Sequence, residues 1–114
     1  MTLEYFKNTN QLNNAVSVYS FLDCVIVKED DLYFGLCLNL DVASQGETVD
    51  ETKENLKEAI ELYLEDAMDN PTIEIFRLVP DESNPIFTQK EDIAEIYKLY
   101  VNQDLILSDY GKVA

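Results

Sequence analysis

The sequence predicts an α+β fold: a three-to-four-stranded antiparallel sheet with one helix packed on one face (β-β-β-α-β), plus a C-terminal helix. Three observations predict it. From Leu32 to Val42, apolar side chains alternate with others at a period of two, the pattern of a strand with one buried face. From Leu56 to Ala67, apolar side chains recur at helical spacing. The chain has 114 residues, 46% hydrophobic and 27% charged, which suits one domain with a single core.

The elements follow in chain order. Asn8, Asn10, Asn13 and Asn14 cluster around Gln11, a turn-rich composition, so residues 1–19 read as an N-terminal arm with an extra strand. Residues 20–80 form the central domain, and 81–114 a helical extension of it. Val16 to Val27 is apolar and β-branched, and reads as one long or two broken strands. A turn at Asp30-Asp31 sets Val27 opposite Phe34, Val25 opposite Leu36 and Cys24 opposite Cys37. On this register the helix is expected to pack on Val25, Val27, Phe34 and Leu36. The other face then carries Cys24, Ile26, Tyr33, Gly35 and Cys37, too apolar to leave in water. Either the C-terminal segment with Ile93, Ile96 and Tyr97 covers it, or a second subunit does. Self-association as a two-fold dimer is the expectation.

The helix start is marked by Thr48 and Glu51, at capping-box spacing, with Asp50 and Glu51 complementing the helix dipole. Leu56, Ala59, Ile60, Tyr63, Leu64 and Ala67 make its apolar stripe, and Asn70-Pro71 ends it. Thr72 to Val79 reads as a strand stopped by Pro80. Thr88 and Glu91 repeat the capping spacing. Ile93, Ile96, Tyr97, Tyr100 and Val101 then predict a second amphipathic helix, and Leu105 to Leu107 a last short strand or packed tail.

Composition narrows the function. Eight basic residues stand against 23 acidic ones, a net charge of −15. Such a field repels phosphate backbones and attracts basic partners. Within residues 81–114, three lysines face seven acids and no arginine is present, so direct DNA binding is not expected. Histidine is absent, which removes the commonest general base and metal ligand. Cys24 and Cys37 sit in apolar strands and read as reduced core thiols in a cytoplasmic protein. Glu29-Asp30-Asp31 reads as a solvated turn, lacking the alternating ligands and glycine of a calcium loop. No apolar run is long enough to span a membrane. No cofactor and no metal site are expected.

One stretch carries a family resemblance. Asp41-Val42-Ala43-Ser44-Gln45-Gly46-Glu47-Thr48 leads through Glu51 into Asn55-Leu56-Lys57-Glu58-Ala59-Ile60-Glu61-Leu62-Tyr63-Leu64-Glu65. Upstream stand Val25-Ile26-Val27-Lys28-Glu29, Tyr33 and Leu36-Cys37. Residues 20–80 resemble the HicB-like antitoxin domain of type II toxin–antitoxin pairs. The resemblance implies three antiparallel strands, a helix and a fourth strand, similar to a partial ribonuclease H fold. It also implies a function without catalysis: neutralising a small basic HicA-like toxin, which cleaves mRNA, by direct binding. Many HicB antitoxins carry a C-terminal DNA-binding motif, and the short acidic tail here departs from that pattern.

The expected partner-binding residues lie on the acidic outer surface: Asp41, Gln45 and Glu47 in the strand and loop before the helix, and Asp50, Glu54 and Glu58 along its wet face. Two alternatives stay open. One is a stand-alone HicB-like homo-oligomer with no toxin. The other is a cryptic carboxylate- and metal-dependent ribonuclease-H-like hydrolase, which requires Asp41 and helix acids to converge.

Overall fold

A computed structural model describes residues 21–70, 76–101 and 107–112. The expected arm and extra strand over 1–19 lie outside these residues. Three strands come first: β1 (Phe21–Glu29), β2 (Leu32–Cys37) and β3 (Val42–Gly46). The long helix α1 (Val49–Asp69) follows. Short turns at Asp81–Ser83, α2 (Pro85–Thr88) and Lys90–Asp92 lead to β4 (Ile93–Val101) and β5 (Leu107–Lys112). The strands form one antiparallel sheet in the order β3-β2-β1-β4-β5, so β1 is its centre. The predicted α+β class and the packing of one long helix on one face are both present.

The β1–β2 hairpin has the predicted register: Cys24 pairs with Cys37, Val25 with Leu36 and Val27 with Phe34. Its turn is the two residues Asp30-Asp31, with Asp30 at φ 55°. Aspartate tolerates this left-handed backbone better than most side chains because its short carboxylate bonds locally.

The face on which the helix packs is the reverse of the expected one. α1 buries Thr52, Leu56, Ile60, Leu64 and Ala67 against Leu22, Cys24, Ile26, Cys37, Tyr97 and Leu99. The physical reason is visible at Gly35. A Cβ there would stand 3.0 Å from Ile26 Cδ1 and 3.2 Å from both Leu56 Cδ2 and Thr52 Cγ2. Glycine flanked by cysteine two residues on leaves a shallow trough that admits the helix. The Val25–Phe34–Leu36 side offers no such trough. Val25 and Val27 are nonetheless buried, outside the helix-facing cluster, on the side where α2 approaches β1 with Pro85 buried.

Two further expectations are corrected. The second amphipathic helix over Ile93–Val101 is strand β4, held against β1 by Leu22↔Leu99, Cys24↔Tyr97 and Val25↔Ile96. In that geometry Tyr97 and Leu99 lie under α1 while Ile96 and Tyr100 face the other way. The strand expected over Thr72–Val79 falls partly outside the described residues. Its described part, from Phe76, lies outside the sheet and bonds to the β2–β3 turn, Arg77 N–H to Asn39 O (2.9 Å) and Val79 N–H to Leu38 O (3.0 Å). The fourth strand of the order β-β-β-α-β is therefore β4.

Candidate functional site

The residues expected to bind a partner lie along β3 and the first turns of α1, and all but Asp41 are near the junction of the two. β3 is an edge strand, paired only with β2 among the described strands. It begins after Asp41, whose φ of 55° turns the chain and whose N–H donates to Cys37 O (3.0 Å). It ends at Gly46, which is buried. A Cβ on Gly46 would lie 2.8 Å from both the backbone N and the Oγ1 of Thr52, so only glycine lets the helix start this close to the strand.

The helix start is bolted at three points. Thr48 Oγ1 accepts the Glu51 N–H (3.0 Å), the predicted cap. Thr52, wholly buried, donates its hydroxyl to Thr48 O (2.7 Å), with Tyr33 O at 3.4 Å. Asn55 Nδ2 donates to Gln45 O (2.8 Å), tying the second turn of the helix to the edge strand. The motif residues Gly46, Thr48 and Asn55 thus each have a local structural task. Sequence reasoning found the cap but not the Asn55 bond, because a side-chain bond across ten residues leaves no periodic trace.

The candidate residues divide into three groups. Asp50, Glu54 and Glu58 are exposed at four-residue steps, so they stand in file on the side of α1 opposite buried Leu56 and Ile60. Glu47, also exposed, lies just before the cap at the head of this file. Gln45 is exposed on β3, but strand alternation puts its side chain on the sheet face away from the helix. Asp41 is at the opposite end of β3, about 14 Å from Gln45 by strand rise. The structure therefore gathers Glu47, Asp50, Glu54 and Glu58 into one ridge and leaves Asp41 apart.

That separation bears on hydrolytic chemistry. Asp41 sits in a turn and the helix acids face solvent, so they do not converge. Among the described residues, no three acids or cysteines are placed to hold a metal ion.

Two features were not anticipated. Lys53 leans the other way from Asn55, toward the sheet, where its Nζ meets Glu95 Oε2 (2.6 Å) and lies 4.5 Å from the centre of the Tyr97 ring. The other is a groove of about 400 Å³ beside the hairpin turn, between Lys28, Asp30 and Tyr33 on one side and Glu91, Asp92 and Ile93 on the other. Lys28 Nζ stands 5.7 Å over the Tyr33 ring there.

No protein-family model and no curated protein matches the chain. No helix of the described residues is long and apolar enough to cross a membrane.

Proposed function

We propose that this chain is a protein-binding module of the HicB-like antitoxin kind, whose partner is a small basic protein. One observation carries the reading: the ridge of Glu47, Asp50, Glu54 and Glu58, held rigid by the Thr48 cap and the Asn55–Gln45 bond at the edge of the sheet. Four carboxylates on a fixed scaffold favour a basic surface by complementarity and speed its approach. In this reading the partner is a HicA-like mRNA-cleaving toxin, neutralised by occlusion, and the chain itself catalyses nothing. The same charge disfavours DNA, so no sequence-specific shift of promoter DNA is expected at physiological salt.

The test is capture from the native host. Tagged wild-type chain is expected to retain one small basic protein at physiological salt. The triple variant Asp50→Lys, Glu54→Lys, Glu58→Lys is expected to lose it. Equal retention by both would remove the ridge from the interface.

A second reading, self-association, is favoured by the outer face of the sheet. The helix covers the face of Cys24, Ile26 and Cys37, so that face is not open to a second subunit. On the opposite face Phe34, Leu36 and Ile96 are half-buried, while Phe21 and Tyr100 remain 40% and 37% exposed and stack edge to face at 5.6 Å. A two-fold dimer through this face predicts a sedimenting species of twice 13.1 kDa at micromolar concentration. The variant Phe21→Asp, Tyr100→Asp is expected to sediment as a monomer. A wild-type monomer would end this second reading and leave the first intact.

A further inference from the structure

The two cysteines have no part in the binding surface, yet their placement is specific. They are directly paired across β1 and β2 on the face beneath α1, and both are free and wholly buried. Position within the ladder matters. Leu38 N–H donates to Asp23 O (2.8 Å), which makes Asp23 and Leu38 a hydrogen-bonded position. Antiparallel ladders alternate, so the next pair inward, Cys24 and Cys37, is a non-hydrogen-bonded one. There the Cα atoms approach to about 4.5 Å and side chains stand closest. That lies within the range of roughly 4.4–6.8 Å that a disulfide spans, so paired strands of this register meet its backbone requirement.

We propose that Cys24 and Cys37 form a redox-modifiable dithiol that closes to a cross-strand disulfide when a peroxide-class oxidant reaches it. The Cys24 thiol points to the Leu22 carbonyl (4.0 Å), and the Cys37 sulfur is its cross-strand neighbour. The neighbouring Cys24 thiol, with the Asn39 and Leu40 backbone N–H groups, holds Cys37 below the usual thiol range, while the neighbouring Cys37 and burial hold Cys24 above it. The backbone N–H groups of Asn39 and Leu40 beside its sulfur favour Cys37 as the thiolate that attacks first. Its sulfur bonds to one peroxide oxygen as the O–O bond breaks, and the departing hydroxide takes up the proton that Cys37 lost on ionising and leaves as water. The Cys24 sulfur then attacks the Cys37 sulfenic acid. The S–O bond breaks, and the hydroxyl leaves as a second water with the Cys24 proton. In sum, two thiols and one peroxide yield one disulfide and two waters.

Burial decides when this occurs. Neither sulfur meets solvent in the closed fold, so oxidation is gated by transient opening of α1 from the sheet. The same cover keeps the Cys37 sulfenic acid next to Cys24 and away from other chains. Once closed, the bond ties residues 24 and 37 together and restricts the unfolded hairpin, which raises resistance to unfolding.

The experiment exposes the full chain to hydrogen peroxide, then denatures it, alkylates it and measures intact mass. The expected product is lighter by two hydrogens, takes no alkyl groups, and gives one linked peptide pair, Cys24 with Cys37. Its melting temperature rises and returns on treatment with dithiothreitol. In Cys24→Ser, dimedone is expected to trap a sulfenic acid at Cys37, and in Cys37→Ser far less label should appear at Cys24. Full alkylation of both thiols after peroxide, disulfides between chains, or independent oxidation of each thiol to sulfinic acid would overturn the proposal. The wild-type mass measurement decides the matter even if a serine variant fails to fold.

Discussion

Gly46 shows how little room a single residue leaves. Its α-hydrogen side faces the backbone N and hydroxyl of Thr52 at a distance no methyl group fits. Gly46→Ala is expected to push the helix start off the strand, at about 1–3 kcal/mol measured by denaturant unfolding. Deeper in the core, Leu56→Ala or Ile60→Ala is expected to cost about 2–5 kcal/mol, because both side chains are wholly buried. Lys53 acts at the margin between core and solvent, with its ammonium on Glu95 and its charge over Tyr97. Lys53→Met removes both contacts while keeping most of the packing, and about 1–3 kcal/mol of destabilisation is expected. The Thr48 cap and the buried helix stripe were legible in the sequence, because capping and burial obey spacing within a few residues. The Lys53–Glu95 pair was not, since its partners are 42 residues apart.

At the scale of elements, the hairpin register was readable, and the face it presents to the helix was not. Register followed from a two-residue turn, which leaves one pairing that matches apolar with apolar. Facing did not follow, because Val25, Val27, Phe34 and Leu36 on one side and Leu22, Cys24, Ile26 and Cys37 on the other are both apolar. Residue size decided instead, through the trough at Gly35. β4 was misread for a related reason. Ile93, Ile96, Tyr97, Tyr100 and Val101 fit helical spacing, yet the segment is rich in residues that favour strands, and its true period is two on either side of a bulge near Val27. The alternate residue Lys98 pairs with Asp23 across the strands, a contact that only the sheet creates. Central β1 is bonded on both sides, so its amides from Cys24 to Val27 are expected to exchange most slowly. Those of edge strand β3 should exchange markedly faster. Slow exchange confined to α1 would contradict the sheet-centred core.

For the whole molecule, a net charge of −15 on 114 residues sets the long-range behaviour. Self-repulsion opposes the compact state, and salt screens it over about 10 Å at 0.1 M. The melting temperature is therefore expected to rise as sodium chloride increases from low to physiological concentration, by scanning calorimetry. A fall would mean that local ion pairs such as Lys53–Glu95 outweigh the general repulsion. The same charge, ordered into the ridge from Glu47 to Glu58, underlies the proposed recognition of a basic partner. Inhibition tests that claim most directly: RNA cleavage by the captured basic partner is measured with one equivalent of this chain at physiological salt. Wild-type chain is expected to abolish cleavage, and the Asp50, Glu54, Glu58 to lysine variant to leave it running. Cleavage unaffected by the wild-type chain, or blocked equally by both, would contradict it.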